Sequence, residues 1–417
     1  MSIEIIAIGN EVLSGMIVNT NAAFISTELT NAGWHVARHT VLPDDPKLLE
    51  QGLRDALARA DAVITTGGLG PTCDDITRTV AAKIFDSALE RDPGLAAELE
   101  MRYGKNLPSL EDLSLAPVKA TRLPNRMGTA SGWLFSQPER NLALLPGPPR
   151  EMSVMLKEVL LPELPAAVGK QPQTQCARTL HLCCLREDDV DPLLRRLSAD
   201  YPELQAGIYP GYGSLTVRFS GRNKSHVQLG VEAMERDFGT YLYEAPTGKI
   251  EEAIHGWFKG QGNGKGKTLA FAESCTGGKM AAQITALPGA SDFFLGSLVV
   301  YANPLKTGLL GVSENTLRTC GAVSAEAVAE MLAGVFKVTG ADLAIAVSGI
   351  AGPSGGLPDK PVGTVWGAIG ERGKPVEVGH MYLPLSRETI IAATANRLLG
   401  ALYRKVRFGI PFRSFER

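Results

Sequence analysis

The chain has 417 residues, 44% of them apolar and 21% charged, enough for two or three full-sized cores and ordinary for a globular protein. Its formal net charge of −2 lacks the basic excess of a general nucleic-acid or membrane-surface binder. Six cysteines, two of them adjacent at Cys183 and Cys184, form neither a disulfide framework nor a zinc spacing. The start, Met1-Ser-Ile-Glu-Ile-Ile-Ala-Ile-Gly9, has no basic leader and runs straight into an apolar strand. No apolar run approaches about 18 residues, so neither a signal peptide nor a membrane span is expected, and the expected compartment is the cytoplasm.

Residues 1–168 alternate apolar strands (Ile3–Ile8, Trp34–Val41, Ala62–Thr66, Leu142–Leu145) with helical stretches (Ala22–Ala32, Lys47–Ala58, Ile76–Ile84). That alternation predicts βαβ units and a parallel sheet. The run Thr65-Thr-Gly-Gly-Leu-Gly-Pro-Thr-Cys-Asp-Asp-Ile-Thr77 follows a strand and opens a helix. At such a place glycines (Gly67, Gly68, Gly70) let a ligand phosphate approach backbone N–H groups, and Asp74 and Asp75 would hold a divalent metal beside it. The plain alternative is a tight turn followed by helix-capping aspartates.

A polar linker, Gly169–Cys176, leads into a smaller α+β segment over 177–245: a strand, a helix Glu187–Ser198, a hairpin around Gly211-Tyr-Gly213 and a helix His226–Phe238. It lacks the Gly-x-x-Gly with basic flanks that clamps a nucleic-acid backbone, and reads as scaffold. A flexible loop, Gly260–Gly266, marks the last boundary.

Beyond it, Thr268–Ala272 reads as a buried strand, Gly277–Leu287 as a helix and Ser291–Tyr301 as a second strand, with Lys306 about one helical turn further on. Ser274 then sits in a strand-to-helix turn, where the N–H groups of Thr276, Gly277 and Gly278 are suited to an oxyanion or phosphate. A serine hydroxyl is a poor nucleophile at neutral pH, and a neutral lysine amine is one of the few groups that activates it without histidine. His255 is the nearest histidine in sequence, well before Ser274. Cys275 is the rival nucleophile, placed second for want of a histidine partner.

Four motifs, Ala272-Glu-Ser-Cys-Thr-Gly-Gly278, Tyr301-Ala-Asn-Pro-Leu-Lys306, Gly321-Ala-Val-Ser324 and Gly349-Ile-Ala-Gly-Pro-Ser-Gly-Gly356, occur in the order found in the competence/damage-inducible CinA family, which the chain resembles over nearly its whole length. In the first half, Gly9-Asn-Glu-Val-Leu-Ser-Gly15, Leu42-Pro-Asp-Asp45 and Leu145-Pro-Gly-Pro-Pro149 carry the likeness. The resemblance implies an α/β protein: a molybdopterin-binding-like domain (1–168), a K-homology-like α+β connector (177–245) and an α/β amidohydrolase domain (249–417). In Leu182-Cys-Cys-Leu-Arg-Glu187 the chain departs from the family's usual wording.

The activity implied is hydrolysis of nicotinamide mononucleotide to nicotinic acid mononucleotide and ammonia, with no cofactor. Ser274 would be the nucleophile, Lys306 the general base and Tyr301 a proton relay, with Thr276, Gly277, Gly278, Gly349 and Arg387 on the substrate, Arg387 at its 5′-phosphate. In the first domain the resemblance puts Asp44 and Asp75 at the acidic positions and implies a metal-dependent ADP-ribose pyrophosphatase or a pterin site. Small nucleotides are the expected partners of a homodimer that engages no membrane or nucleic acid. The alternative from another class is a non-enzymatic competence or DNA-damage accessory protein, which would have no need of the Ser274, Tyr301 and Lys306 set.

Overall fold

In a computed structural model, which describes residues 2–107, 109–138, 140–172, 176–261 and 264–413, the chain divides into two units, Met1–Thr174 and Gln175–Arg417. The predicted linker and the Gly260–Gly266 loop lie partly outside the described residues.

The first unit is built on one sheet with strand order Val36–Leu42, Ile3–Ile8, Ala62–Thr66, Arg140–Leu145, Gly132–Gln137, Ala120–Leu123. The first four strands are parallel, as the alternating pattern predicts, but the last two are antiparallel. The expected parallel sheet is extended by an antiparallel edge: the link from Gln137 to Arg140 is long enough for a hairpin and far too short for a helical crossover. Side chains alternate between two cores. Ile6 and Ile8 pack with Leu49 and Leu53 of the helix Pro46–Arg59 on one face, and Ile3 and Ile5 with Ile25 and Leu29 of the helix Thr20–Asn31 on the other. Strand ends at Ile8, Leu42, Thr66 and Leu145 all open onto the same edge, where open α/β sheets hold their ligands.

The second unit contains two sheets. One, ordered Gln205–Gly211, Ser214–Gly221, Cys176–Cys183, Leu242–Tyr243, is antiparallel throughout, with the predicted hairpin at its edge and helices Glu187–Asp200 and Lys224–Phe238 supplying its core. The other is ordered Phe294–Val299, Leu269–Glu273, Leu343–Gly349, Thr364–Glu371, Glu377–Tyr382, parallel in its first three strands and antiparallel in its last two. Cys183 and Tyr243 of the smaller sheet share one apolar cluster with Leu398, Leu402 and Tyr403 of the long helix Arg387–Phe408, so the connector and the larger sheet are packed together. Among the described residues no helix is long and apolar enough to cross a membrane.

The strand Leu269–Glu273 is flanked by parallel neighbours on both sides and lined by Leu269, Ala270, Phe271 and Ala272, all fully buried. Beside it the helix Asn303–Leu310 carries Lys306, and the helix Ala325–Thr339 approaches it so closely at Gly334 that an added Cβ would lie 2.1 Å from the Leu310 carbonyl oxygen. That contact is backbone and cannot swing aside. Gly334→Ala is expected to lower stability by about 1–3 kcal/mol by overpacking. Chemical denaturation checks this, and an unchanged midpoint would show that the two helices separate freely.

Candidate active site

Ser274 directly follows the central strand, and its N–H donates to the Val347 carbonyl at 3.1 Å, which ties the turn to the neighbouring strand. The predicted helix starts later than its sequence suggests, at Lys279, because Gly277 and Gly278 adopt φ of 60° and 94°, left-handed values that glycine tolerates. This corrects the expected oxyanion donors. The Gly277 N–H is spent on the Ser274 carbonyl at 3.1 Å, whereas the N–H groups of Cys275, Thr276 and Gly278 have no backbone acceptor among the described residues. The Thr276 hydroxyl is buried and also unpartnered.

Glu273 was not singled out from the sequence. Its carboxylate is fully buried and accepts from the N–H of Met280 at 3.1 Å, the N–H of Ala281 at 3.0 Å and the Ser297 hydroxyl at 3.0 Å. It thereby caps the helix that follows Ser274 and locks the turn to the edge strand Phe294–Val299. The available signal was a lone acid at the end of an otherwise apolar strand, next to the serine.

Lys306 is 1% exposed, with Nζ 3.1 Å from Ser274 Oγ. Nζ also donates to the carbonyl oxygens of Val300 and Tyr301, each at 2.9 Å. Carbonyls only accept, so these two contacts use two N–H groups and leave the third position of the nitrogen facing the serine. No carboxylate pairs with Lys306 among the described residues. Burial accordingly pushes its ammonium pKa below the usual lysine value. In the neutral amine the position facing Ser274 is a lone pair, which is what a general base requires.

Cys275 is buried, and its thiol is pushed up to about 12, chiefly by burial. It remains a protonated thiol at neutral pH, and the amine that could take a proton, Lys306 Nζ, stands 3.1 Å from Ser274 Oγ, which favours the serine as nucleophile.

Tyr301 contributes differently from the sequence expectation. Its backbone carbonyl holds Lys306, while its side chain is 58% exposed and its hydroxyl oxygen accepts from Arg387 Nη2 at 3.1 Å. The hydroxyl has no hydrogen bond to Ser274 or Lys306, so the expected proton relay is not part of this arrangement. Arg387 Nη1 also donates to the Gly352 carbonyl at 2.6 Å, joining the 349–356 loop to Tyr301 and leaving three of the five guanidinium N–H groups for a ligand. Gly349 acts by its size: a Cβ there would lie 3.1 Å from Cys275 Sγ and 2.8 Å from Val365 Cγ2. Ser324 caps the helix Ala325–Thr339 and stays out of the chemistry.

In the first unit, a cavity of about 570 Å³ opens at the carboxyl edge of the sheet, lined by Gly67, Gly68, Gly70, Asp44, Asp74 and Asp75. A Cβ at Gly67, whose φ is 109°, would lie 2.2 Å from the Ile8 carbonyl oxygen, a backbone contact that requires glycine there, whereas one at Gly70 would lie 2.5 Å from Asp75 Oδ2, a side-chain atom. The Asn21 side-chain amide donates to Thr66 Oγ1 at 2.9 Å and the Gly147 carbonyl at 2.7 Å, leaving its buried Oδ1 unpartnered. Asp44 accepts from the Asn10 N–H at 2.9 Å. Burial, together with the charges of Glu11, Asp74 and Asp75, raises its carboxyl pKa. Asp74 and Asp75 both accept from Thr72. Among the described residues no set of three or more His, Cys, Asp or Glu side chains is arranged to hold an ion, so Asp74 and Asp75 do not form a metal centre by themselves.

Fold and sites together define a mixed α/β protein that joins a glycine-cradle domain to a domain with a buried serine–lysine pair. Residues 4–166 match the family model described as "Probable molybdopterin binding domain", and residues 252–406 match "CinA C-terminal domain". A competence-damage inducible protein of Symbiobacterium thermophilum is 38% identical over 386 residues, 90% of this chain and 89% of its own length. One of Moorella thermoacetica is 36% identical, covering 98% and 99%. A CinA-like protein of Gemmatimonas aurantiaca is 35% identical, covering 97% and 96%. The chain belongs to the CinA family.

A raised and buried thiol should resist alkylation. Iodoacetamide at mildly alkaline pH is expected to label the exposed Cys73 and to leave Cys275 unmodified in the folded protein. Peptide mass mapping checks this, and prompt labelling of Cys275 would return it to contention as nucleophile.

Proposed function

We propose that the second unit hydrolyses the carboxamide of nicotinamide mononucleotide, releasing ammonia and nicotinic acid mononucleotide. The observation that carries this reading is Lys306 Nζ, buried, fixed by two carbonyls and aimed at Ser274 Oγ. The substrate itself follows from the family resemblance of the four motifs.

Neutral Lys306 takes the hydroxyl proton as Ser274 Oγ attacks the carboxamide carbon. The N–H groups of Cys275, Thr276 and Gly278 are the donors available to the oxyanion, worth several kcal/mol when pre-aimed. The lysine ammonium so formed returns its proton to the departing nitrogen, ammonia leaves, and a water molecule activated by the same amine releases the acid. Arg387, held by Gly352 and Tyr301, offers its remaining N–H groups to the 5′-phosphate.

Ser274→Ala is expected to abolish ammonia release while preserving the fold, and more than trace turnover would remove the serine from its role. Lys306→Arg should be nearly as damaging as Lys306→Ala, each cutting kcat/KM about a hundredfold or more, because a guanidinium stays protonated. Protonated Lys306 is inactive, so activity should rise with pH through a pKa below the ordinary lysine value. A fully active Lys306→Arg variant would show that only a positive charge is needed.

A second reading rests on the 570 Å³ glycine-cradled cavity of the first unit, which suits a nucleotide diphosphate. We propose ADP-ribose as its ligand and substrate. A divalent cation would be shared between Asp74, Asp75 and the ligand's own phosphates, since the described residues offer no group of three or more His, Cys, Asp or Glu side chains for it. Asp75→Asn is expected to remove cation-dependent ADP-ribose turnover and to leave ammonia release unchanged. ADP-ribose left intact under every divalent ion would reduce this cavity to a binding site.

A further inference from the structure

A further cavity of about 610 Å³ in the second unit lies between the Cys183-Cys184 corner, the helix Arg387–Phe408 and residues 410–413. Its volume is in the range of small-ligand sites. Among the described residues, Arg186, Arg397, Arg404 and Arg413 line it with Cys184, together with two carboxylates, Asp189 and Asp237. Both carboxylates are already engaged. Asp189 pairs with Arg186 at 3.6 Å, and Asp237 with Arg236 at 2.8 Å and Arg196 at 3.5 Å, neither of which lines the cavity. The walls therefore carry a cationic excess. Arg404 is fixed in place, its guanidinium 3.8 Å over the Tyr241 ring and its Nε donating to the Thr240 carbonyl at 3.0 Å.

The two thiols are held in unlike settings. Cys184 has φ of 61°, a left-handed value uncommon for a residue with a side chain, and this turns both sulfurs onto the same spot of the long helix. That spot is Gly400, where a Cβ would lie 3.1 Å from Cys184 Sγ and 3.2 Å from Cys183 Sγ. Cys183 is fully buried, its single S–H shared between the Tyr241 and Gly400 carbonyls at 3.4 and 3.7 Å. Cys184 is half-buried, opens onto the cavity and donates to the Arg397 carbonyl at 3.5 Å. Burial pushes the Cys184 thiol up, but the Cys183 thiol and the Arg404 and Arg397 charges outweigh it, and the net shift is downward. Cys183 is shifted the opposite way, first by its neighbour and then by burial.

We propose that Cys184 is a thiol–disulfide exchange site for small anionic disulfides, whose carboxylates are received by the surrounding arginines. The Cys184 thiolate attacks one sulfur of the incoming disulfide, and a new sulfur–sulfur bond forms as the old one breaks. The other half leaves as a thiolate that takes a proton from water, so the incoming disulfide is the oxidant. Nothing in the Ser274 chemistry uses this corner.

The test treats the full-length protein with glutathione disulfide, as the anionic probe, and in parallel with the cationic disulfide cystamine, and follows each cysteine by peptide mass mapping. Cys184 should be modified roughly tenfold faster by the anionic probe, the steering expected of a cationic pocket, while exposed Cys73 shows no such preference. Arg413→Ala and Arg186→Ala should each slow the Cys184 adduct and leave that of Cys73 unchanged. Cys184 left unmodified while Cys73 reacts, or equal Cys184 rates with both probes, would overturn the proposal. The comparison of probes uses the unaltered protein and does not depend on any variant folding.

Discussion

A lysine buried to 1% exposure with no carboxylate partner among the described residues is the constraint around which the second unit is arranged. An unpaired buried ammonium is costly, and the molecule lowers that cost by favouring the neutral amine. Two carbonyls at the end of one strand connection, those of Val300 and Tyr301, accept its N–H groups. They can do so because the helix carrying Lys306 starts immediately afterwards, at Asn303, and is pressed against its neighbour at Gly334. The same geometry fixes which direction remains for the lone pair. Ser274 stands in that direction because its turn is bonded to Val347 and because Glu273 caps the helix behind it.

Much of this was legible in the sequence, and the parts that were not have physical causes. Ser274 and Lys306 could be paired because an apolar strand ending in a serine and a lysine one turn into a Pro-started helix have few ways to fold in an α/β sheet. The helix after Ser274 was drawn too early because two glycines look like an oxyanion loop whether or not their N–H groups are free. In fact Gly277 closes the turn on Ser274 itself. The family resemblance implies a relay role for Tyr301, but its carbonyl points to Lys306 while its hydroxyl points to Arg387. Residue type and spacing do not distinguish those two directions. The antiparallel edge of the first sheet was missed because Gly132–Gln137 and Ala120–Leu123 carry no helix between them and so leave no βαβ signal.

The first unit places its acids at the same kind of topological position, at the carboxyl ends of parallel strands, but with the opposite electrostatics. Burial lowers the pKa of Lys306, whereas Asp44 sits among Glu11, Asp74 and Asp75, and the glycine cradle brings bare backbone to the edge of that negative field. An anionic ligand there would need a countercharge, and the second unit would not. The two sites thus favour different chemistry on sheets of similar construction, which is why function has to be read from side chains and not from the fold.

The most direct measurement is the titration of Lys306 itself, followed by NMR of a protein carrying carbon-13 at the lysine ε position, with the Lys306 signal assigned by its loss in Lys306→Arg. This account predicts a midpoint clearly below that of the surface lysines and coincident with the rise of ammonia release with pH. A Lys306 signal that titrates with the surface lysines, or that stays charged across the pH range of any ammonia release, would contradict it.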